Sequence, residues 1–409
     1  MRKLRRDPAN PNNTPAWRVP SGSTGACYHR NKMAAEPANS RTNLLGKSAD
    51  ELRAFMQSIG EPSYRGAQVY HALYAERRSA LAAMSNLPAA LRDRLSSETS
   101  IELPQIIRRH HSEDGTVRYV LSLAPAESRS RGEAARSSAT IESVFMPETN
   151  RQTICISTQA GCAVDCRFCL TATLGLIRNL SAGEIVGEVL VALEDNRASL
   201  KPQTNIVLMG QGEPLLNYDA VMGALHIVLD PNGMAISPKH VTLSTSGIVP
   251  GIERLGREQV RPKLAISLNA STNEQRDRIM PINRKYSIEK LIEACAAYSL
   301  RPWEHLTFEY VLLGGFNDSP EDARRVVRLL SNLRAKVNLI PWNPGELPYQ
   351  KPDPMRVEEF RRTIAEKGLP VFIRYSRGQD VMAACGQLAL LEDAATSSST
   401  SGTVAGSQA

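Results

Sequence analysis

Residues 161–169 read GCAVDCRFC, placing Cys162, Cys166 and Cys169 in a C-x3-C-x2-C run just after a short β-branched stretch at 153–157. Three thiolates this close on one loop can hold one face of an iron–sulfur cubane, whereas structural zinc sites and closed clusters take four protein ligands. Cys155, seven residues before the run, is the available fourth ligand, so a zinc site stays open as an alternative. Against it, Cys155 falls inside the strand candidate, and no second C-x2-C or His pair follows downstream. An incomplete ligand set leaves one iron free to bind a substrate or cofactor.

Downstream, β-branched runs alternate with amphipathic stretches of helical period. Strands are expected at 153–157, 205–209, 240–244, 263–268, 306–313, 337–340 and 371–375, and helices at 182–194, 218–229, 288–298, 320–333 and 354–367. Apolar strands separated by helices imply parallel βαβ units with right-handed crossovers. Six or more such units predict an α/β fold, a full or partial (β/α) barrel with its functional groups at the C-terminal strand ends. The cysteine run sits at one such end, and the core is assigned to 151–391. Upstream, 41–100 reads as helical: Ser48 and Glu51 have capping-box spacing, and Leu52, Phe55, Met56 and Ile59 follow on one face. Residues 101–150 alternate as strands, with Asp114-Gly115 as a hairpin turn and the insert 125–138 as a loop. The tails 1–40 and 392–409 lack periodicity and are expected to be disordered.

The 409-residue chain is 42% hydrophobic and 22% charged, as soluble globular domains are. No apolar run reaches the roughly 18 residues that span a bilayer, and no apolar segment follows the basic N-terminus. Neither membrane insertion nor secretion is expected. Seven cysteines, four of them within fifteen residues, then argue for a reduced, cytoplasmic compartment and for metal or redox chemistry. A formal charge of +7 suggests a nucleic-acid partner, but residues 1–40 hold seven Lys/Arg and two Asp/Glu, leaving 42 against 40 for the rest. Nucleic-acid binding by the folded part must rest on local placement of basic residues. Arg108-Arg109, Arg284-Lys285 and the pair Arg374 and Arg377 are the candidate phosphate contacts.

Polar residues recur at the later strand ends. MGQGEP at 209–214 supplies Gly212 and Glu213; Ser244, then Ser267, Leu268 and Asn269, then Asn343 follow three later strands. Individually such residues read as caps or turns. With Phe168 before its last cysteine, the cysteine run resembles that of the radical S-adenosylmethionine (SAM) superfamily. The resemblance implies a partial (β/α)6-type barrel, a [4Fe–4S] cluster on Cys162, Cys166 and Cys169, and SAM held by Gly212, Glu213, Ser244, Ser267, Leu268, Asn269 and Asn343. The glycines are expected to let backbone approach the ligand, and the Glu213 carboxylate to accept from the SAM ammonium. The N-terminal helical module, Cys155, MPINRKY at 280–286 and SRGQDVMAACGQL at 376–388 narrow the resemblance to the RlmN family of dual-specificity RNA methyltransferases, over about 44–391. The helical module then resembles an RNA-binding accessory domain and 101–150 a short β-hairpin linker. Asn269 departs from the His that many relatives carry.

That resemblance implies methylation of adenine C2 in RNA, in the peptidyl-transferase centre of 23S rRNA and beside the anticodon of some tRNAs. C2 is an electron-poor sp2 carbon whose C–H is not acidic, so simple nucleophilic transfer from SAM fails there. By resemblance, Cys385 takes a methyl from one SAM, and a 5′-deoxyadenosyl radical from a second abstracts hydrogen from that methyl. The resulting carbon adds to the base. Cys155 then resolves the adduct through a transient disulfide with Cys385, and Glu142 accepts the proton. From local sequence alone Cys385 reads as a small buried hydrophobe and Glu142 as a solvent-facing strand residue. A flavodoxin-like electron donor and a monomer are also expected. Cfr-type enzymes, which methylate C8, share this residue set; from another class, a zinc-stapled RNA-binding protein without catalysis is the rival reading.

Overall fold

Ser48 caps α1 (Ala49–Ser58) as its spacing to Glu51 predicts. Its Oγ accepts the Glu51 N–H at 3.2 Å, and Glu51 Oε2 accepts the Ser48 N–H at 2.8 Å, a pairing that stabilises such a helix end by about 1 kcal/mol. The computed structural model describes residues 41–124, 139–344 and 347–388. The tails, the insert 125–138 and Cys27 lie outside the described residues. β1 (Thr42–Asn43) and β2 (Thr99–Ser100) pair across the start and end of the helical module, which α2 (Tyr64–Tyr74) and α3 (Ala89–Glu98) complete. Leu52, Met56, Val69, Leu73 and Leu95 belong to one continuous core that extends into the barrel. The Tyr70 hydroxyl donates to Asp230 Oδ2 at 2.9 Å, at the end of a barrel helix. Tyr70→Phe is expected to lower stability by about 1 kcal/mol, read as a lower urea midpoint at unchanged slope.

β3 (Gln105–His111), β4 (Val117–Leu123) and β5 (Ala139–Pro147) form an antiparallel meander that joins β6 (Arg151–Cys155). From β6 the sheet turns parallel and runs through β9 (Gln203–Leu208), β10 (Val241–Thr245), β11 (Lys263–Ser267), β12 (Leu306–Leu312), β13 (Ala335–Pro341) and β14 (Val371–Ile373). The hairpin of β7 (Gln159–Gly161) and β8 (Leu176–Asn179) stands apart from this ten-stranded sheet. The crossovers carry α4 (Ala182–Asp195), α5 (Tyr218–Leu229), α6 (Val249–Gly256), α7 (Asn273–Ile279) with α8 (Ile288–Ala296), α9 (Pro320–Leu330) and α10 (Pro354–Ala365). Parallel strands in chain order with helical crossovers are a singly wound (β/α) barrel left open at one side. Among the described residues no helix is long and apolar enough to cross a membrane.

The segment after β14 bridges back toward the meander. Arg377 donates to Asp114 Oδ2 at 3.2 Å and to the Pro147 carbonyl, and Asp380 accepts from Ser112 Oγ at 2.6 Å. Arg377 is therefore a structural tie rather than the free phosphate contact expected of it. Arg109 is similarly committed, with Asp195 as a bidentate partner. Among the elements that escaped the sequence reading are α6, α7 and the β7–β8 hairpin. α6 has eight residues with Pro250 in its first turn, α7 has seven and buries only Arg276 and Ile279, and β7 has three. None is long enough to establish a period.

Candidate active site

Gly161 ends β7 at φ +72°, and a Cβ there would lie 1.8 Å from the Gly175 carbonyl oxygen. Only glycine lets the hairpin close so tightly, and the Cys162 N–H donates to that oxygen at 2.9 Å. The loop bearing Cys162, Cys166 and Cys169 is then pinned from three directions. Arg167 N–H donates to the Ile279 carbonyl at 2.9 Å, Trp342 Nε1 to the Phe168 carbonyl at 3.2 Å, and Leu170 N–H to the Gly386 carbonyl at 2.8 Å. Burial pushes the Cys162 thiol up to about 12; burial, then the neighbouring Cys169 and Cys162, raises Cys166 well above the ordinary thiol range, and Cys169 is raised by burial too. Such thiols stay protonated unless a metal replaces the proton. Among the described residues no three His, Cys, Asp or Glu side chains converge on one metal-ion position. A zinc tetrahedron requires that convergence; a cubane, with a separate iron for each thiolate, does not. The donor set fits the [4Fe–4S] cluster.

The three thiols share one cavity with Gly212, Glu213, Ser244, Ser267, Asn269 and Asn343, and Cys385 lies in its wall. Leu268 is not in its wall: its side chain is buried in the core. Gly212 lines the cavity and has a structural role besides. At φ +100° its missing Cβ leaves room for Gln159, 2.6 Å from where that carbon would stand, so it packs protein against protein. Glu213 is buried and accepts from Thr245 Oγ1 at 2.8 Å, Ser246 N–H at 2.7 Å and Leu215 N–H at 3.1 Å. Its carboxylate fixes the β10 end as well as facing the cavity. Asn269 sits at φ +55°, which Asn tolerates better than most residues, and its Oδ1 accepts the Val311 N–H at 2.9 Å.

Two residues here were not among those expected from the sequence. Arg276 is fully buried, and its guanidinium donates to the carbonyls of Ser246 at 2.6 Å, Ser267 at 3.1 Å and Leu268 at 3.1 Å, and to Asn283 Oδ1 at 3.2 Å. It ties two strand ends to the MPINRKY segment. Arg276→Lys keeps the charge but loses the planar fork. It is expected to weaken SAM binding at least about tenfold, measured by equilibrium dialysis on reconstituted enzyme. Glu309 is buried in the cavity wall, and its Oε2 accepts from Ser244 Oγ at 2.8 Å. Its one trace in the sequence is a carboxylate inside an otherwise apolar strand.

Cys385 faces the cavity and is solvent-accessible there, yet protein atoms surround it, and that burial pushes its thiol up to about 12. Asn343 Nδ2 donates to its carbonyl at 3.3 Å. Cys385 also lines a second cavity, and Cys155 is in its wall. Cys155 is buried and packs with Ala383 and Leu388; burial first, then the proximity of Cys385, raises its thiol. Both cysteines are unpaired thiols. Glu142 is not the solvent-facing residue its local sequence suggests. It is fully buried, accepts from Arg118 Nη1 at 2.5 Å, and lies 3.4 Å from Gln211 Nε2. Val144 is in register with Cys155, so Glu142, two residues away, lies on the same face of the sheet as Cys155.

An open, singly wound barrel with three thiols on one strand-end loop, facing a cavity rimmed by polar strand ends, defines a radical SAM enzyme. Residues 156–330 match the family model of the Radical SAM superfamily, and residues 42–101 match that of the ribosomal RNA large subunit methyltransferase N-terminal domain. The chain is 48% identical to the probable dual-specificity RNA methyltransferase RlmN of Koribacter versatilis (strain Ellin345), covering 81% of this chain and 97% of that one. It is 44% identical to the dual-specificity RNA methyltransferase RlmN of Anaeromyxobacter dehalogenans (strain 2CP-C), over 85% and 91%. A crystal structure of a radical SAM methyltransferase from Sphaerobacter thermophilus superposes with a TM-score of 0.78 at 38% identity, covering 85% of this chain and 99% of that one. The chain belongs to the RlmN family of radical SAM RNA methyltransferases.

Proposed function

We propose that this enzyme methylates C2 of adenine in 23S rRNA and in the anticodon loop of some tRNAs, with Cys385 as the carrier of the methyl group. The observation that supports this reading best is the position of Cys385 in the wall shared by the cluster cavity and the cavity of Cys155. One sulfur can then receive a methyl from one side and be attacked from the other.

Cys162, Cys166 and Cys169 would hold the [4Fe–4S] cluster, and Gly212, Glu213, Ser244, Ser267, Asn269 and Asn343 would surround SAM. When bound, cluster and SAM supply an electron, a methyl group and a hydrogen-abstracting radical. The remaining work belongs to side chains. Cys385 attacks as a thiolate and forms an S–CH3 bond as the sulfonium–methyl bond of SAM breaks. After its methyl carbon has bonded to C2 and the adduct has given up its odd electron, which the cluster when bound would take back, Glu142 accepts the C2 proton. The Cys155 thiolate attacks the Cys385 sulfur, the bond from that sulfur to carbon breaks with its electron pair left on the carbon, which takes up a proton to complete the methyl group, and the two sulfurs are left as a disulfide. Burial of Cys155 and Glu142 keeps water from competing with either step. A flavodoxin-like protein is the proposed electron source. The rival is methylation at C8 with the same residues, as Cfr-type enzymes do. Digestion of RNA treated in vitro, with identification of the methyladenosine isomer, distinguishes them: 2-methyladenosine is expected, and 8-methyladenosine as sole product refutes the assignment.

A further inference from the structure

Inward-facing residues of the parallel strands change character along the barrel. Side chains alternate along a strand, so strands that give the cluster cavity its wall also supply residues nearer their N-terminal ends. Thr242 precedes Ser244 on β10, Lys263 precedes Ser267 on β11, Thr307 precedes Glu309 on β12, and Lys336 precedes Ile340 on β13. These earlier residues line the second cavity, which meets the first at Cys169, Glu309 and Cys385. A barrel of this kind is usually filled by apolar side chains. Here the half toward the N-terminal strand ends is hollow and polar.

Six Lys and Arg side chains line that hollow, and three of them, Lys263, Lys336 and the more exposed Arg374, lie close enough to feel one another. Lys263 and Lys336 are half-buried. Burial lowers both lysines; Lys336 and Arg374 lower Lys263 further, and Arg374 lowers Lys336. Among the described residues none of the three has an ion-pair partner, whereas the rim residues Arg151 and Arg377 are paired with Glu148 and Asp114. The carboxylate nearest Lys263 in effect, Glu304, is already held by Arg301 at 2.9 Å and lies 3.6 Å from Arg261. Arg374 Nε donates to Asn338 Oδ1 at 3.1 Å, which orients it without neutralising it. Glu309, where the two cavities meet, feels the charge of Arg374 but pairs with none of the three cations; cations crowded without direct pairing cost stability, and an anionic ligand would relieve that cost. The approach is flanked by Tyr375, an aromatic left 71% exposed, and by exposed Lys239. Exposed aromatics beside cations suit a single-stranded nucleic acid, whose bases stack and whose phosphates need charge.

We propose that the target nucleotide enters from the N-terminal strand ends, opposite the cluster, and that Lys263, Lys336 and Arg374 clamp an RNA phosphate beside the target adenosine. The inference rests on the RNA-adenine reading above and adds to it an entry side and a set of positioning residues. The four residues from Lys263 to Ser267 span about 13 Å of strand, a depth suited to a nucleotide whose phosphate lies at the lysines and whose base reaches toward Cys385.

The test pairs a Lys263→Gln, Lys336→Gln double variant with short RNA substrates carrying one neutral methylphosphonate next to the target adenosine. The modified linkage takes 2′-deoxyribose for stability, with a 2′-deoxy phosphodiester as its control. The double variant is expected to lose about a hundredfold in kcat/KM while its Tm rises, because mutual repulsion is removed. A merely structural role would lower both. A Lys263→Arg, Lys336→Arg variant should retain most activity. At one flanking linkage the methylphosphonate should slow the wild-type enzyme by a similar factor and leave the double variant unaffected. Wild-type rates in the double variant, or losses that multiply at every linkage, would overturn the clamp alone. Absence of any methylated adenosine with wild-type enzyme and unmodified RNA would instead sink the substrate reading and the clamp with it.

Discussion

Cys385→Ala is expected to abolish RNA methylation, a loss of at least about 10^4-fold, while leaving the cluster absorbance intact. The side chain lies in the wall of the cluster cavity and holds nothing else in place; the neighbouring backbone, anchored by Asn343 to the Cys385 carbonyl and by Leu170 to the Gly386 carbonyl, survives the substitution. Reconstituted variant should therefore bind SAM but accumulate neither a methylated cysteine nor a methylated adenine. The assay is methyl transfer from labelled SAM into protein and RNA, scored separately. Cys385→Ser is expected to be as inactive, because an alcohol is a far poorer soft nucleophile than a thiolate.

Cys155→Ala should fail later and differently. The first methylation of Cys385 and attachment of its carbon to RNA do not need Cys155, whose wall is that of the second cavity. Without the second thiol the adduct cannot be released, so one equivalent of enzyme is expected to trap about one equivalent of RNA covalently, with multiple turnover lost. Denaturing gel mobility, reversed by RNase digestion, measures this. Glu142→Gln should give the same trapped species, because proton loss from C2 precedes release. The Arg118 partner of Glu142 is buried with it, so thermal melting of that variant serves as a folding check.

How much of this was legible in the sequence depended on signal length. The expected helices at 182–194 and 218–229 appear as Ala182–Asp195 and Tyr218–Leu229, because apolar residues over three or more turns leave a clear period. The strands from β9 to β13 were visible for the same reason on a period of two. Residue types carried the cluster ligands, since three thiols at fixed spacing on a strand-end loop have few other uses. Arg276 was invisible because its role is set by three carbonyls distant in sequence. Glu142 was misjudged locally because burial of a strand carboxylate depends on Arg118 across the sheet. Cys385 lies in a short, apolar-looking stretch that reads as core, and only the path of the segment after β14, tied to the meander by Arg377 and Asp380, brings it to the cavity wall. The polar hollow was missed because alternate strand positions such as Thr242, Thr307 and Lys336 suggest a solvated sheet face. A hollow barrel interior gives the same pattern.

The central claim is that one thiol carries the methyl group from SAM to RNA. Enzyme methylated with isotopically labelled SAM, freed of that SAM and given unlabelled SAM, reductant and RNA reports on it directly. The first equivalent of methylated adenine should carry the label that began on the Cys385 peptide. A first equivalent bearing only unlabelled methyl, with the label still on the protein, would contradict the account.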